Sequence, residues 1–197
     1  MNLIYKLFAT PLIKFPFTKH QDYIFEDVEK SERVPPNWEC SLNTSYPKIH
    51  HQDPFIDTKR SKSLQKDLLK DIKSAFVEMN IPSDISMVTF WYNIYHDNQY
   101  QERHNHRFDV KDDNSWSGIY YSKNATPTTF YPPTTIGSVS KFPGSEDTLL
   151  SDCFYHHFDP DVEDGDIIIF PSTIEHQVRP SQSNQMRLTF SFNLRFN

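Results

Sequence analysis

Along residues 63–79, apolar side chains return at steps of three and four: Leu64, Leu68, Ile72, Ala75, Phe76 and Met79. That spacing paints one stripe on a 3.6-residue period and predicts an amphipathic helix over 63–79. Ser61 or Ser63 can cap its start, and Pro82 closes it. Beyond Pro82 the period drops to two, in short runs rich in Val, Ile, Thr, Phe, Trp and Tyr that suit strands. Strands are expected at 86–95, 117–122, 128–131, 152–158, 166–171, 175–179 and 186–196, with Asn, Asp, Pro and Gly clustered between them as turns require.

Upstream of the helix the pattern is less regular. Residues 1–17 are apolar but interrupted by Pro11, Lys14 and Pro16, with no small-residue cleavage site after them. They fit neither a signal peptide nor a membrane span and are expected to supply a strand or two to the core. Residues 19–57 are polar and proline-containing, and are expected to wrap irregularly around the outside. The whole predicts a mainly β chain with a flanking helix: residues 1–82 as wrapping and helix, 83–197 as a β-sandwich, in one domain spanning 1–197. A jelly roll, the double-stranded β-helix of cupin-like proteins, is one common way for short antiparallel strands to hide their edges while leaving a mouth for a ligand.

Composition narrows the partners. With 16 Phe and 10 Tyr among 197 residues, the chain has ample material for a core, which excludes disordered and fibrous classes. A net charge of -6 provides no basic stripe, so nucleic acid is disfavoured. No run approaches the length of a membrane span. Cys40 and Cys153 lie far apart and form no motif, which fits a reducing, cytoplasmic setting. Nothing in the sequence argues against a homodimer.

Three stretches carry chemistry. In the first, Tyr100-Gln-Glu-Arg-His104-Asn-His106, two histidines spaced by two point to one side of an extended strand, so both imidazoles can meet one ion. In the second, Gly165-Asp-Ile-Ile-Ile-Phe-Pro-Ser-Thr-Ile-Glu-His176, a turn and a buried strand lead through a proline to a histidine that can complete a facial triad. In the third, Arg187-Leu-Thr189-Phe-Ser191-Phe-Asn193, alternation sets Arg187, Thr189 and Ser191 on one face. Guanidinium beside hydroxyl is a pairing that grips a carboxylate. His50, His51, His96, His156 and His157 fall outside these stretches and are expected in solvent or loops.

Taken in this order, the stretches resemble the 2-oxoglutarate and iron(II)-dependent oxygenases, whose pattern is His-x-Asp or His-x-Glu, a distal His, then Arg-x-Ser or Arg-x-Thr about ten residues on. His104, His176, Arg187 and Thr189 match it, and Asn93-x-Tyr95 looks like the Asn-x-Tyr that contacts the co-substrate in the alkylation-repair branch. Residues 104–106, 117–121, 165–176 and 187–193 are closer still to the small oxygenases common in marine bacteria and their phages, so a phage-borne chain working in host cytoplasm is one expectation. The resemblance covers roughly residues 89–196. It implies Fe(II) held by His104, His106 and His176, with 2-oxoglutarate paired to Arg187 and supported by Thr189, Asn93 and Tyr95. It also implies O2 as oxidant and hydroxylation of a substrate that the sequence does not name, a small molecule or a protein side chain. His106 stands where most of the superfamily has a carboxylate, and Asp109, on the opposite face of a regular strand, is the alternative. Rival readings are oxygenation of a nucleic-acid base, a keto-acid-independent three-histidine enzyme of cupin type, and a non-catalytic structural or assembly module.

Overall fold

The computed structural model describes residues 10–25, 28, 40–46, 55–106, 115–133, 157–180 and 184–197, and the statements below concern those residues. The helix α1 runs Lys59–Glu78, four residues earlier at its start than the apolar stripe suggests. The reason is local: Thr58, in extended backbone, accepts a bond from Ser61 N at 3.1 Å, so Thr58 rather than Ser61 or Ser63 is the cap. At the other end Asn80 takes a left-handed conformation, φ 56°, and stops the helix two residues before Pro82.

Six strands form one antiparallel sheet, in the order β1 (Ile13–Pro16), β7 (Asp166–Pro171), β5 (Ser115–Lys123), β9 (Arg187–Phe196), β3 (Ile85–Tyr95) and β2 (Asn43–Thr44). Three more form a smaller sheet, β4 (Gln101–His104), β8 (His176–Val178) and β6 (Thr129–Phe130). The strands expected from period-two patterning at 86–95, 117–122, 128–131, 166–171, 175–179 and 186–196 are all found, with no end shifted by more than two residues. Of the expected strand at 152–158 only the end is described, where Phe158 bridges Phe130. Within residues 1–17, β1 pairs with β7 at the edge of the large sheet and sends Ile13 into the core.

Alternation explains the layering. On β9 the even positions Leu188, Phe190, Phe192 and Leu194 join Leu64, Leu68, Ile72 and Phe76 of α1 in one core. The odd positions Arg187, Thr189, Ser191 and Asn193 are buried on the opposite face, beneath the smaller sheet. There Ile119, Tyr121, Ile168 and Phe170 pack with Phe130 and Ile174 in a second core. Helix, large sheet and small sheet therefore make three layers, in the jelly-roll arrangement, with a line of polar side chains sealed between the sheets. Gly118 is required by this packing: Phe192, its cross-strand partner, lies so close that a Cβ would meet the ring at 2.1 Å.

Candidate metal and co-substrate site

His104 and His176 are directly opposed on β4 and β8, with ring centroids 4.3 Å apart. β4 ends at His104, so His106 arrives from the chain just beyond the strand and not by simple alternation. Its backbone N–H donates to Ser172 O at 2.9 Å, which turns the ring inward. His106 then lies 5.3 Å from His104 and 5.0 Å from His176, centroid to centroid, with Trp91 packed on its other side at 5.4 Å.

All three rings are set in the same tautomer by their outer nitrogens. His104 Nδ1–H donates to Glu102 O at 2.8 Å, and His176 Nδ1–H to Ile174 O at 3.0 Å. His106 Nδ1–H is shared between Ser117 Oγ at 2.9 Å and Asn193 Oδ1 at 3.1 Å. Each Nε2 is therefore the nitrogen turned toward the other rings, and His104 Nε2 stands 3.3 Å from His106 Nε2. The candidate ligand atoms all lie within 4.8 Å of one another, the only such grouping among the described residues. Three imidazoles converging on one point suit a borderline divalent ion such as Fe(II). Burial, with the neighbouring His104, pulls His106 down to about 3 and His176 well below the ordinary imidazole value, so these two rings enter neutral solution unprotonated.

Arg187 supplies the anion-binding half. It sits on β9 between Tyr95 of β3 and Tyr121 of β5, with its guanidinium carbon 5.1 and 5.5 Å from the two ring centroids. Nη2 donates to Thr128 Oγ1 at 3.3 Å, while Nε and Nη1 have no hydrogen-bond partner among the described residues although they are sealed from solvent. A buried guanidinium with two idle donors costs free energy unless an anion completes it, and a carboxylate is the shape that fits a planar fork. Burial pulls Arg187 below its ordinary value, yet arginine keeps its charge in proteins. Thr189 and Ser191 line the same cavity.

Asn93 also lines it, but both ends of its amide are occupied, Oδ1 by Thr44 Oγ1 at 2.7 Å and Nδ2 by Ser191 Oγ at 3.1 Å. Tyr95 points its hydroxyl at Gln101 Oε1, 2.9 Å away. Gln101 is a site residue that alternation hides. Three positions before His104, it belongs on the other face of a regular strand, but the register shifts between Gln101 and His104 and brings both inward. Its Nε2 lies 3.3 Å from His104 Nε2, so the amide stands against a metal-facing nitrogen and has to turn aside as an ion is bound. Asp109 lies outside the described residues, as do His50, His51 and His156; His157 is exposed and His96 lies in the turn between β3 and β4.

The sequence matches the family model described as "Putative 2OG-Fe(II) oxygenase" over residues 89–193, more than half of the chain. The chain belongs to this family. It is a 2-oxoglutarate-dependent oxygenase, and Fe(II) and 2-oxoglutarate are its cofactors. No curated protein matches it in sequence. Among solved structures the oxygenase is similar to HygX of Streptomyces hygroscopicus with nickel, 2-oxoglutarate and hygromycin B bound, at 12% identity and a TM-score of 0.60, covering 94% of this chain and 83% of that one. A Pseudomonas putida prolyl-4-hydroxylase is similar at 13% identity and a TM-score of 0.56, covering 96% and 94% of the two chains. The epimerase SnoN from nogalamycin biosynthesis follows at 10% identity and 0.61, covering 94% and 76%. At such identities these likenesses speak for the shared fold. No helix among the described residues is long and apolar enough to cross a membrane.

Proposed function

We propose that the oxygenase hydroxylates its substrate at a single-domain site in which His104, His106 and His176 hold the iron and Arg187 anchors 2-oxoglutarate. The carrying observation is the pairing of three convergent Nε2 atoms with a buried guanidinium whose Nε and Nη1 lack partners among the described residues. The chemistry that iron and keto acid supply when bound is reduction of O2, coupled to decarboxylation of 2-oxoglutarate to succinate and CO2 and to insertion of one oxygen atom into a substrate C–H bond.

The chain's own residues do the rest. Arg187 receives the distal carboxylate on its idle donors, with Thr128 and Thr189 beside it, and the Tyr95 and Tyr121 rings keep water from that ion pair. Asn93, held by Thr44 and Ser191, stiffens the wall between anchor and metal. Gln101, once turned from His104, has an amide free to meet the metal-binding end of the keto acid.

The substrate class we infer is a small molecule or a protein side chain. In its support, one structural relative holds hygromycin B and another is a prolyl-4-hydroxylase. The net charge of -6 speaks against nucleic acid, and two distant cysteines support a cytoplasmic setting. The test is anaerobic loading with Fe(II) followed by exposure to air and 2-oxoglutarate, with succinate as readout. Turnover that depends on iron and disappears in Arg187→Ala is the expected result.

A further inference from the structure

Ser117 and Asn193 begin and end two of the stretches singled out in the sequence, yet neither reaches the co-substrate anchor. They are cross-strand partners on β5 and β9, both fully buried, and their side chains meet behind His106. Ser117 Oγ–H donates to Asn193 Oδ1 at 2.8 Å. With that proton committed, Ser117 Oγ can only accept, from His106 Nδ1–H and from Ser172 Oγ–H at 2.8 Å. Both lone pairs of Ser117 Oγ and both of Asn193 Oδ1 are then used, and the network closes on one arrangement of protons. Ser172, also fully buried, grips the same residue a second way through its carbonyl and the His106 N–H.

The arrangement carries a cost. Asn193 Nδ2 is buried with no partner among the described residues, which costs about 1–3 kcal/mol. Turning the amide over would relieve Nδ2 but would aim N–H at N–H across His106 Nδ1. The oxygen is therefore held toward the imidazole at the expense of the nitrogen, and every acceptor in the network is neutral.

We propose that Asn193 and Ser117, braced by Ser172, are positioning residues that make His106 a metal ligand by keeping its proton on Nδ1 and its Nε2 lone pair toward the ion. This rests on His106 being a ligand, as argued above. Neutral acceptors suit an imidazole at a position where the wider superfamily carries a carboxylate, since an acid at 106 would meet the Asn193 oxygen as a repulsive neighbour.

The test is titration of the metal-free full-length chain with Co(II), read by its visible ligand-field spectrum, at a pH above the imidazole range so that protons do not compete. Asn193→Ala and Ser117→Ala should each weaken Co(II) binding by about 10–100-fold, the usual effect of losing a group that orients a ligand. Asn193→Asp, the same size with a stronger acceptor, should tighten it. Those opposite signs separate positioning from bulk structure, because a residue needed only for packing would weaken binding as either variant. Asn193→Asp alone decides the matter if the alanine variants fail to fold. Binding unchanged by alanine, or weakened by aspartate, overturns the proposal. His106→Ala distinguishes the two levels: if it binds Co(II) as the parent does, the ligand assignment itself is wrong, whereas if it binds weakly while the Asn193 variants match the parent, only the positioning role is wrong.

Discussion

Replacing Arg187 by methionine should separate what the residue does for folding from what it does for the co-substrate. Arg187 is 2% exposed, and the one hydrogen bond its guanidinium makes to a described residue is a long one, 3.3 Å to Thr128. The contacts to Tyr95 and Tyr121 at 5.1 and 5.5 Å contribute about 0.5–2 kcal/mol each. Against them stands the cost of burying a charge, and exchange of buried ions for apolar groups of similar volume is often neutral or stabilising by about 1–4 kcal/mol. These terms nearly cancel, so Arg187→Met should leave the melting temperature unchanged or raised by a few degrees, where truncating a packed side chain of that size costs about 2–5 kcal/mol. The co-substrate behaves oppositely. Two charge-assisted bonds lost at about 1.5–3 kcal/mol each lower 2-oxoglutarate affinity by about two to four powers of ten. The assay is thermal unfolding with a divalent metal, with and without 2-oxoglutarate. The parent at about 100 times its Kd gains about 2.7 kcal/mol, and the variant at the same concentration gains about 0.4 kcal/mol at most. A variant that melts far below the parent, or that keeps the ligand-induced shift, would show that Arg187 is not the co-substrate anchor.

Other consequences are as direct. His106 and His176 are held neutral by burial, while in the unfolded chain each protonates near pH 6.5. The unfolded state therefore binds more protons below that pH. Stability of the metal-free protein should be flat above it and fall as pH drops from 6.5 toward about 3 for His106, with a slope approaching about 1.4 kcal/mol per unit per histidine; urea midpoints across mildly alkaline to acid buffers measure it, and a flat acid limb would contradict it. Gly118→Ala sets a methyl against the Phe192 ring, 2.1 Å from its nearest atom, and should cost about 1–3 kcal/mol in chemical unfolding without altering metal specificity. His176→Ala should lose stoichiometric iron, whereas Arg187→Ala should keep it, as elemental analysis of the two purified proteins will show.

How far the sequence disclosed the site follows from which residues obey regular geometry. Arg187, Thr189 and Ser191 were legible because β9 alternates without interruption from a polar inner face to an apolar one. His176 was legible because a proline and a turn mark the break between β7 and β8. Gln101 was not, since a register shift reverses its face, and no single-residue signal announces a bulge. His106 lies beside His104 and His176, but alternation is not what brings it there: the strand stops before it, and Ser172, 66 positions away in sequence, aims it. Asn93 shows the converse, a residue whose face was right while its hydrogen bonds were spent on Thr44 and Ser191, partners that only the assembled sheets bring near. The apolar stripe located α1 but not its start, which depends on a capping bond from Thr58, outside the stripe.

The central claim is that one ion and one keto acid share the cavity between the two sheets. Iron content and 2-oxoglutarate affinity, measured together on a single anaerobic sample, test it most directly. One iron per chain is expected, with saturable 2-oxoglutarate binding that vanishes when the metal is removed by a chelator. Keto-acid binding that persists at full strength without iron, or a chain that takes up no iron at all, would contradict it.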